Sequence, residues 1–208
     1  MPSLLLLLLM LVAPVLSAQA APVQPMNGDL LFVTAARTGL SGAIHDATGK
    51  QGTASYDHVA LVAHEERGDV VLHADEKGSR KQDLDSFLTD ARAKHRQVTV
   101  YRLKGEARTA IPAAIARART LLGKPYNVTY VQDEGSYYCS DFIERAFRAQ
   151  HVFATQPMNF KNLQTGEIAS YWVEFYKSKG MEVPQGAPGT NPNDMAASPV
   201  LQRIGSAL

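Results

Sequence analysis

Paired cysteine is missing from this sequence: Cys139 stands alone among 208 residues. A lone thiol cannot close a disulfide within its own chain, which excludes a disulfide-stapled fold and leaves packing or chemistry as that residue's value. Charge imbalance is missing too. Lys and Arg number 21 and Asp and Glu 20, a formal net charge of +1, so no basic stripe exists to neutralise phosphates and nucleic acid is excluded as a partner. Arg108, Arg117 and Arg119 are read instead as the solvated face of a helix. The sequence also lacks an internal repeat, a short metal-ligand spacing such as CxxC or HExxH, and an apolar run of the ~20 residues needed to span a bilayer.

The most apolar stretch, Leu4 to Val12, is followed by Pro14 and by Ser17-Ala18-Gln19-Ala20-Ala21. Its length and Ala-x-Ala ending predict a signal peptide over residues 1–20, and hence export to a periplasmic or extracellular location with no integral membrane segment after cleavage. No Lys or Arg precedes the apolar core, a departure from the usual pattern. Residues 21–208 predict one domain, since no low-complexity linker divides them. Asn127-Val128-Thr129 fits a glycosylation acceptor.

The apolar run Leu30 to Val33, leaving a turn at Asn27-Gly28, predicts a first strand. Leu40 and Ile44 predict a short helix over 38–48, ended by Gly49. His58-Val59-Ala60-Leu61-Val62-Ala63-His64 and Asp69-Val70-Val71-Leu72-His73-Ala74-Asp75 predict an antiparallel hairpin around a four-residue loop, Glu65 to Gly68. A helix over 84–91, capped by Asp83 or Asp85, precedes a strand over 97–103. Ile111, Ile115, Ala118 and Leu122 line one face of a helix over 107–122. Phe142, Ile143, Ala146 and Phe147 predict another helix, starting at or just before Cys139, with Glu144, Arg145 and Arg148 between its apolar positions. A last helix covers 171–176 and ends at Gly180. The stretch 184–199, rich in Gly, Pro and Asn, is expected to wrap the surface. Strands first and helices later predict an α+β fold with a mostly antiparallel sheet.

The thiol then occupies the first turn of its helix, where free backbone N–H groups and the helix dipole favour thiolate and offer an oxyanion site. A thiol nucleophile needs a base, and the base an orienting partner. Of the six histidines, His45, His95 and His151 fall at polar helix ends and His64 near the hairpin turn, all expected in solvent. His58 and His73 fall in apolar strands. With that loop, His64 opposes Asp69, Ala60 opposes His73 and His58 opposes Asp75, so His58, His73 and Asp75 share one sheet face. Either His73 or Asp75 can orient His58. Cys139, His58 and His73 are also ligand types for zinc, but no short ligand spacing accompanies them.

These residues resemble a known family. Gly28-Asp29-Leu30-Leu31-Phe32, Tyr56-Asp57-His58-Val59-Ala60-Leu61-Val62, Val71-Leu72-His73-Ala74, Gly123-Lys124-Pro125-Tyr126 and Tyr137-Tyr138-Cys139-Ser140-Asp141-Phe142 are similar, in matching order over roughly 27–150, to the YiiX-type permuted papain-fold cysteine hydrolases, relatives of the NlpC-type amidases. The resemblance implies a circularly permuted papain-like fold, with an antiparallel sheet packed against a nucleophile-bearing helix, and a C-terminal extension from about residue 159. Permutation explains why His58 precedes Cys139. It further implies Cys139 as nucleophile, His58 as base and His73 as third member, at a position where such proteins often carry glutamate. Tyr138 and Ser140 would shape the oxyanion site or contact substrate. The expected reaction is hydrolysis of an amide, in a cell-wall peptide or small peptide-like molecule, without a cofactor. Two alternatives use the same residues: a lipid acyltransferase or thioesterase, with Phe153, Met158, Phe160 and Trp172 lining an apolar groove, and an inactive ligand-binding module.

Overall fold

The computed structural model describes residues 21–208, and the expected signal peptide lies outside the described residues. The strands are β1 (Leu30–Thr34), β2 (Tyr56–Glu65), β3 (Gly68–Asp75), β4 (Gly78–Asp83), β5 (Val98–Leu103), the two-residue β6 (Gln156–Pro157) and β7 (Pro188–Gly189), and β8 (Leu201–Ser206). The helices are α1 (Gly39–Thr48), α2 (Leu84–Ala93), α3 (Ile111–Thr120), α4 (Cys139–Phe147), α5 (Ser170–Lys177) and α6 (Pro192–Ala196). One six-stranded sheet, ordered β4-β3-β2-β1-β5-β8, is antiparallel at every pairing. The fold is α+β, as expected.

Period-two alternation divides the sheet residues between two cores. Leu30, Phe32, Val59, Leu61 and Leu72 face α3 and α4, whereas Leu31, Ala60, Val62, Val71 and Val100 face Leu84, Phe87 and Ala91 of α2. The hairpin keeps the expected register, His64 opposite Asp69, but Glu65 pairs with Gly68, so the turn is two residues and not four. Gly68, at φ 124°, takes a conformation that side chains disfavour.

α4 is the central helix. All nine of its residues are buried, and completely buried Phe142, Ile143 and Phe147 each contribute ~1.5–3 kcal/mol of apolar transfer. Glu144 and Arg145, expected as polar spacers, are buried with them, and each has a partner. Arg145 Nε donates to Asp141 Oδ1 at 2.7 Å and its Nη1 to Glu134 Oε1 at 2.7 Å, while Arg148 Nε donates to Glu144 Oε1 at 2.9 Å. Pairing is what makes such charges tolerable inside a core.

A third apolar cluster, with Tyr130, Tyr138, Met158, Phe160, Trp172 and Tyr176, joins α1 and α5 to the start of α4. The tail departs from expectation. It does not simply wrap the surface: Thr190 N donates to Tyr138 Oη at 3.0 Å, Tyr56 N donates to Asn193 Oδ1 at 2.7 Å, and Asn193 Nδ2 donates to Thr48 Oγ1 at 2.8 Å. β8 then completes the sheet beside β5. Asn127 is no glycan acceptor in this fold. Its side chain is buried and donates to Val131 O at 2.6 Å and Asp133 Oδ2 at 3.1 Å.

Candidate active site

Cys139 opens α4 and is 4% exposed. Its Sγ donates to the Asp57 carbonyl at 3.7 Å, and the Val59 N–H is directed to the sulfur. The thiol therefore lies against the peptide units on either side of His58. A bulge places them there. Val33 pairs with His58 but Thr34 pairs with Tyr56, so Asp57 is the extra residue of β2. Its carboxylate is held by Ser41 Oγ and by Arg96, whose Nε donates to Thr34 O at 2.6 Å. Sequence reading missed this clamp, because nothing near Arg96 in the chain links it to residue 57.

His58 and His73 lie on the α2 face, with Phe87 edge-on to His73 at 5.5 Å. His58 Nε2 and His73 Nδ1 are 2.9 Å apart. Asp75, the other expected orienter, is engaged elsewhere: Arg80 Nη2 donates to its Oδ2 at 2.6 Å and Lys77 N to its Oδ1 at 3.0 Å. It reaches the histidines only through its field. Since His58 Nε2 is occupied, Nδ1 is the nitrogen left for proton transfer, and it makes no hydrogen bond among the described residues. For Nδ1 to accept, Nε2 must carry the proton and donate to His73 Nδ1, which leaves the His73 proton on Nε2. That buried atom lies beside the Gln82 side chain and has no hydrogen bond among the described residues.

Burial governs the charges. It pushes the Cys139 thiol up to about 11, outweighing the lowering effect of the Val59, Ser140 and Cys139 N–H groups. It also lowers His58 to about 4, against the opposing field of Asp75, and His73 to about 3. Burial thus opposes the thiolate that the N–H groups at the helix start favour. Proton transfer from thiol to imidazole is therefore uphill before the ion pair's own attraction is counted. Both shifts favour the uncharged forms, thiol and neutral imidazole. Thiol and imidazole lie on opposite faces of the sheet and line different cavities, and no hydrogen bond joins them directly among the described residues.

Tyr138 and Ser140 line the cavity beside the sulfur, but their hydroxyls are taken by Thr190, the Ser140 Oγ lying 2.9 Å from Thr190 Oγ1. Ser140 reaches the sulfur through its backbone N–H. Tyr126 was not assigned a role from sequence, yet its hydroxyl lies beside the Cys139 backbone N–H, and burial holds its pKa well above the usual phenol value. Phe153 packs on Phe147 at 5.5 Å in the main core, away from this cavity, whereas Met158, Phe160 and Trp172 do line it. His64 is exposed and pairs with Asp69 at 2.7 Å. His45 is half-buried against Arg37, 2.9 Å away, and not free in solvent. Among the described residues no cluster of three or more His, Cys, Asp or Glu is arranged to hold a metal, so Cys139, His58 and His73 do not form the zinc geometry.

A cysteine at the start of a buried central helix, set against a strand that carries a histidine held by a second polar residue, defines a papain-like thiol site. Here the histidine strand comes first in the chain, which is the permuted order. Residues 24–205 match the family model described as permuted papain-like amidase enzyme, YaeF/YiiX, C92 family, and the chain belongs to that family. Among solved structures it is similar to the metalloprotein YiiX from Escherichia coli O157:H7, at 21% identity and TM-score 0.70, covering 88% of this chain and 98% of that one. That likeness supports the fold. No curated protein matches the chain.

Proposed function

We propose that this member of the amidase family is an exported cysteine hydrolase that cleaves an amide bond in a peptide or small peptide-like molecule, with Cys139 as nucleophile, His58 as base and His73 as the residue that fixes the His58 tautomer. The observation that carries the reading is the 2.9 Å bond between His58 Nε2 and His73 Nδ1, which leaves His58 Nδ1 as the accepting atom on the strand that the thiol touches. Export rests on the apolar leader alone. Among the described residues no helix is long and apolar enough to cross a membrane.

In the first half-reaction the sulfur bonds to the carbonyl carbon while its proton passes to His58 Nδ1. The C–N bond breaks, the nitrogen takes that proton and leaves as an amine, and a thioester remains. Water then attacks the thioester and gives a proton to His58. The C–S bond breaks and the sulfur takes the proton back. We assign the holding of the carbonyl oxygen, as it gains charge, to the N–H groups at the start of α4, with the Tyr126 hydroxyl, which accepts from the Cys139 N–H, beside them. Because burial favours the neutral pair, His58 acts as a general base during attack and does not store an ion pair beforehand.

Amine release from N-acetylated dipeptides and cell-wall peptides tests the reading. Wild-type protein is expected to release amine and Cys139→Ala to release none while keeping its circular dichroism spectrum. Equal release by both proteins would end it.

A further inference from the structure

Asp57 serves both faces of the sheet. It is the extra residue of the β2 bulge, and its main chain and side chain have different partners. Its carbonyl accepts from Cys139 Sγ at 3.7 Å, and the two peptide units that follow carry His58 and the Val59 N–H directed to the sulfur. Its side chain is 7% exposed, and the carboxylate is gripped by Arg96 and Ser41. Asp57 lines the cavity at the sulfur and the cavity at the imidazoles, while Arg96 and Ser41 line only the second. Whatever fixes Asp57 therefore fixes the thiol relative to the strand that carries the imidazole.

The guanidinium of Arg96 is engaged at two points. Nε donates to the Thr34 carbonyl at 2.6 Å and Nη2 donates to Asp57, so one planar fork bridges β1 and β2 where their register shifts. A bulge leaves its extra residue outside the regular ladder, and here the fork supplies the missing tie. Ser41 adds a third. Its Oγ donates to the Asp57 carboxylate and accepts from Ala36 N at 2.6 Å, which joins the bulge to α1 and to the loop before it.

Arg96 is aimed by the end of α2. His95 N donates to Arg92 O at 2.9 Å and Arg96 N to Ala91 O at 2.9 Å, the two bonds of a Schellman motif, with His95 in the left-handed position at φ 53°. Glycine takes that position at no steric cost, yet a histidine is held there. The next residue is tied down as well: Gln97 N donates to Thr34 Oγ1 at 3.0 Å, and Thr34 N donates to Gln97 O at 3.0 Å. The backbone is thus pinned on both sides of a side chain whose fork is engaged at both ends.

We infer that Arg96 is a positioning residue of the active site: through the Asp57 carboxylate it holds the β2 bulge in the shape that sets the Cys139 sulfur against the peptide units of His58, and so places thiol relative to imidazole. The assignment rests on the thiol hydrolase reading above. Its consequence is that the fork matters and not the charge alone. A lysine ammonium at the same place reaches the carboxylate or the carbonyl but lacks the planar donors that tie the two together.

Acylation of the full-length protein by p-nitrophenyl acetate separates placement from folding. A misplacement of about 1 Å can cost ~100-fold in rate, so Arg96→Lys, which keeps the cation, should lower the maximal acylation rate at least 10-fold while changing the half-saturating ester concentration less than 2-fold. In a His58→Ala background the same substitution should cost less than 3-fold, since no imidazole is left to place. Ser41→Ala leaves Arg96 and Asp57 paired and should slow acylation about 3-fold when His58 is present, and it carries the test if Arg96→Lys does not fold. Wild-type rates in the variants, or a loss of the same factor with and without His58, as a merely structural residue would give, overturn the assignment and leave the hydrolase reading intact. If the wild-type protein is not acylated at Cys139, the hydrolase reading falls and takes this one with it.

Discussion

The two flanks of β2 have opposite environments. On the α4 side the sulfur sits among buried aliphatic and aromatic side chains and meets only backbone polar groups. On the α2 side the imidazoles sit beside Asp75, Arg80 and Gln82 at the wall of a wide polar cavity. Both flanks nevertheless suppress charge, because desolvation is the largest influence on the thiol and on both rings. The difference lies in what can restore it. The imidazole side has fixed charges and open water nearby, whereas the sulfur side has a few N–H groups and whatever a substrate brings. Reactivity at Cys139 is thus expected to depend on the imidazole and on an occupied cleft, not on a standing thiolate.

The widest contrast between the flanks is catalytic. His58→Ala should lower kcat/KM by ~10²–10⁴-fold, the range for a lost general base, while His73→Ala, which removes only the orienting partner, should cost about 10–100-fold, as second-sphere partners of a working imidazole do. Equal losses would mean that the two rings act as one unit.

The next contrast is in pH. Alkylation of Cys139 by iodoacetamide should keep rising up to pH 10 and beyond, following a thiol near 11. A plateau from pH 5 to 9 would reveal a thiolate–imidazolium pair and erase the contrast drawn here. The stability profile carries the sign of the rings. Their folded values, about 4 and about 3, lie below the ordinary 6.5, so the unfolded chain takes up protons first. Stability is full above that ordinary value and falls as pH drops toward the folded values, by roughly 5 kcal/mol for the two rings together at pH 4.5. Asp141, raised to about 6 by burial, works the other way and trims that loss. Urea unfolding at pH 7 and 4.5 measures the balance, and a protein more stable at the lower pH would reverse the assignment of the rings as buried and neutral.

A smaller effect probes the tail that closes the sulfur flank. Asn193→Ala removes the acceptor for the buried Tyr56 N–H and the donor to Thr48, which should destabilise the fold by about 1–3 kcal/mol. An unchanged urea midpoint would show that the tail is not fastened there. Smallest of all, Cys139→Ala should shift stability by about 1 kcal/mol or less, since the hydrogen bond the thiol donates is long.

The imidazole flank was the more legible in the sequence, and the reason is period-two geometry. Once a hairpin was recognised, the register followed from His64 opposite Asp69, and the meeting of His58 with His73 followed from counting along two strands. Which residue orients His58 did not follow. That depended on β4, whose Gly78-Ser79-Arg80-Lys81-Gln82-Asp83 has no apolar alternation because it is an edge strand, yet supplies the Arg80 that takes Asp75 away. The sulfur flank was legible only locally. The start of α4 could be read from its apolar spacing, but the burial that keeps the thiol protonated is tertiary. It comes from Met158, Phe160 and Trp172 of the third apolar cluster and from Thr190 in a tail whose composition suggested only surface chain. The Asp57 bulge was hidden for the same reason: its clamp, Arg96, is 39 positions distant.

Pre-steady-state acylation tests the roles of Cys139 and His58 most directly. Wild-type protein mixed with p-nitrophenyl acetate should release a burst of about one equivalent of p-nitrophenol and carry a single acetyl group that peptide mass mapping places on Cys139, and His58→Ala should slow that burst at least 100-fold. An acetyl group on any other residue, or a burst that ignores the loss of His58, would contradict those roles.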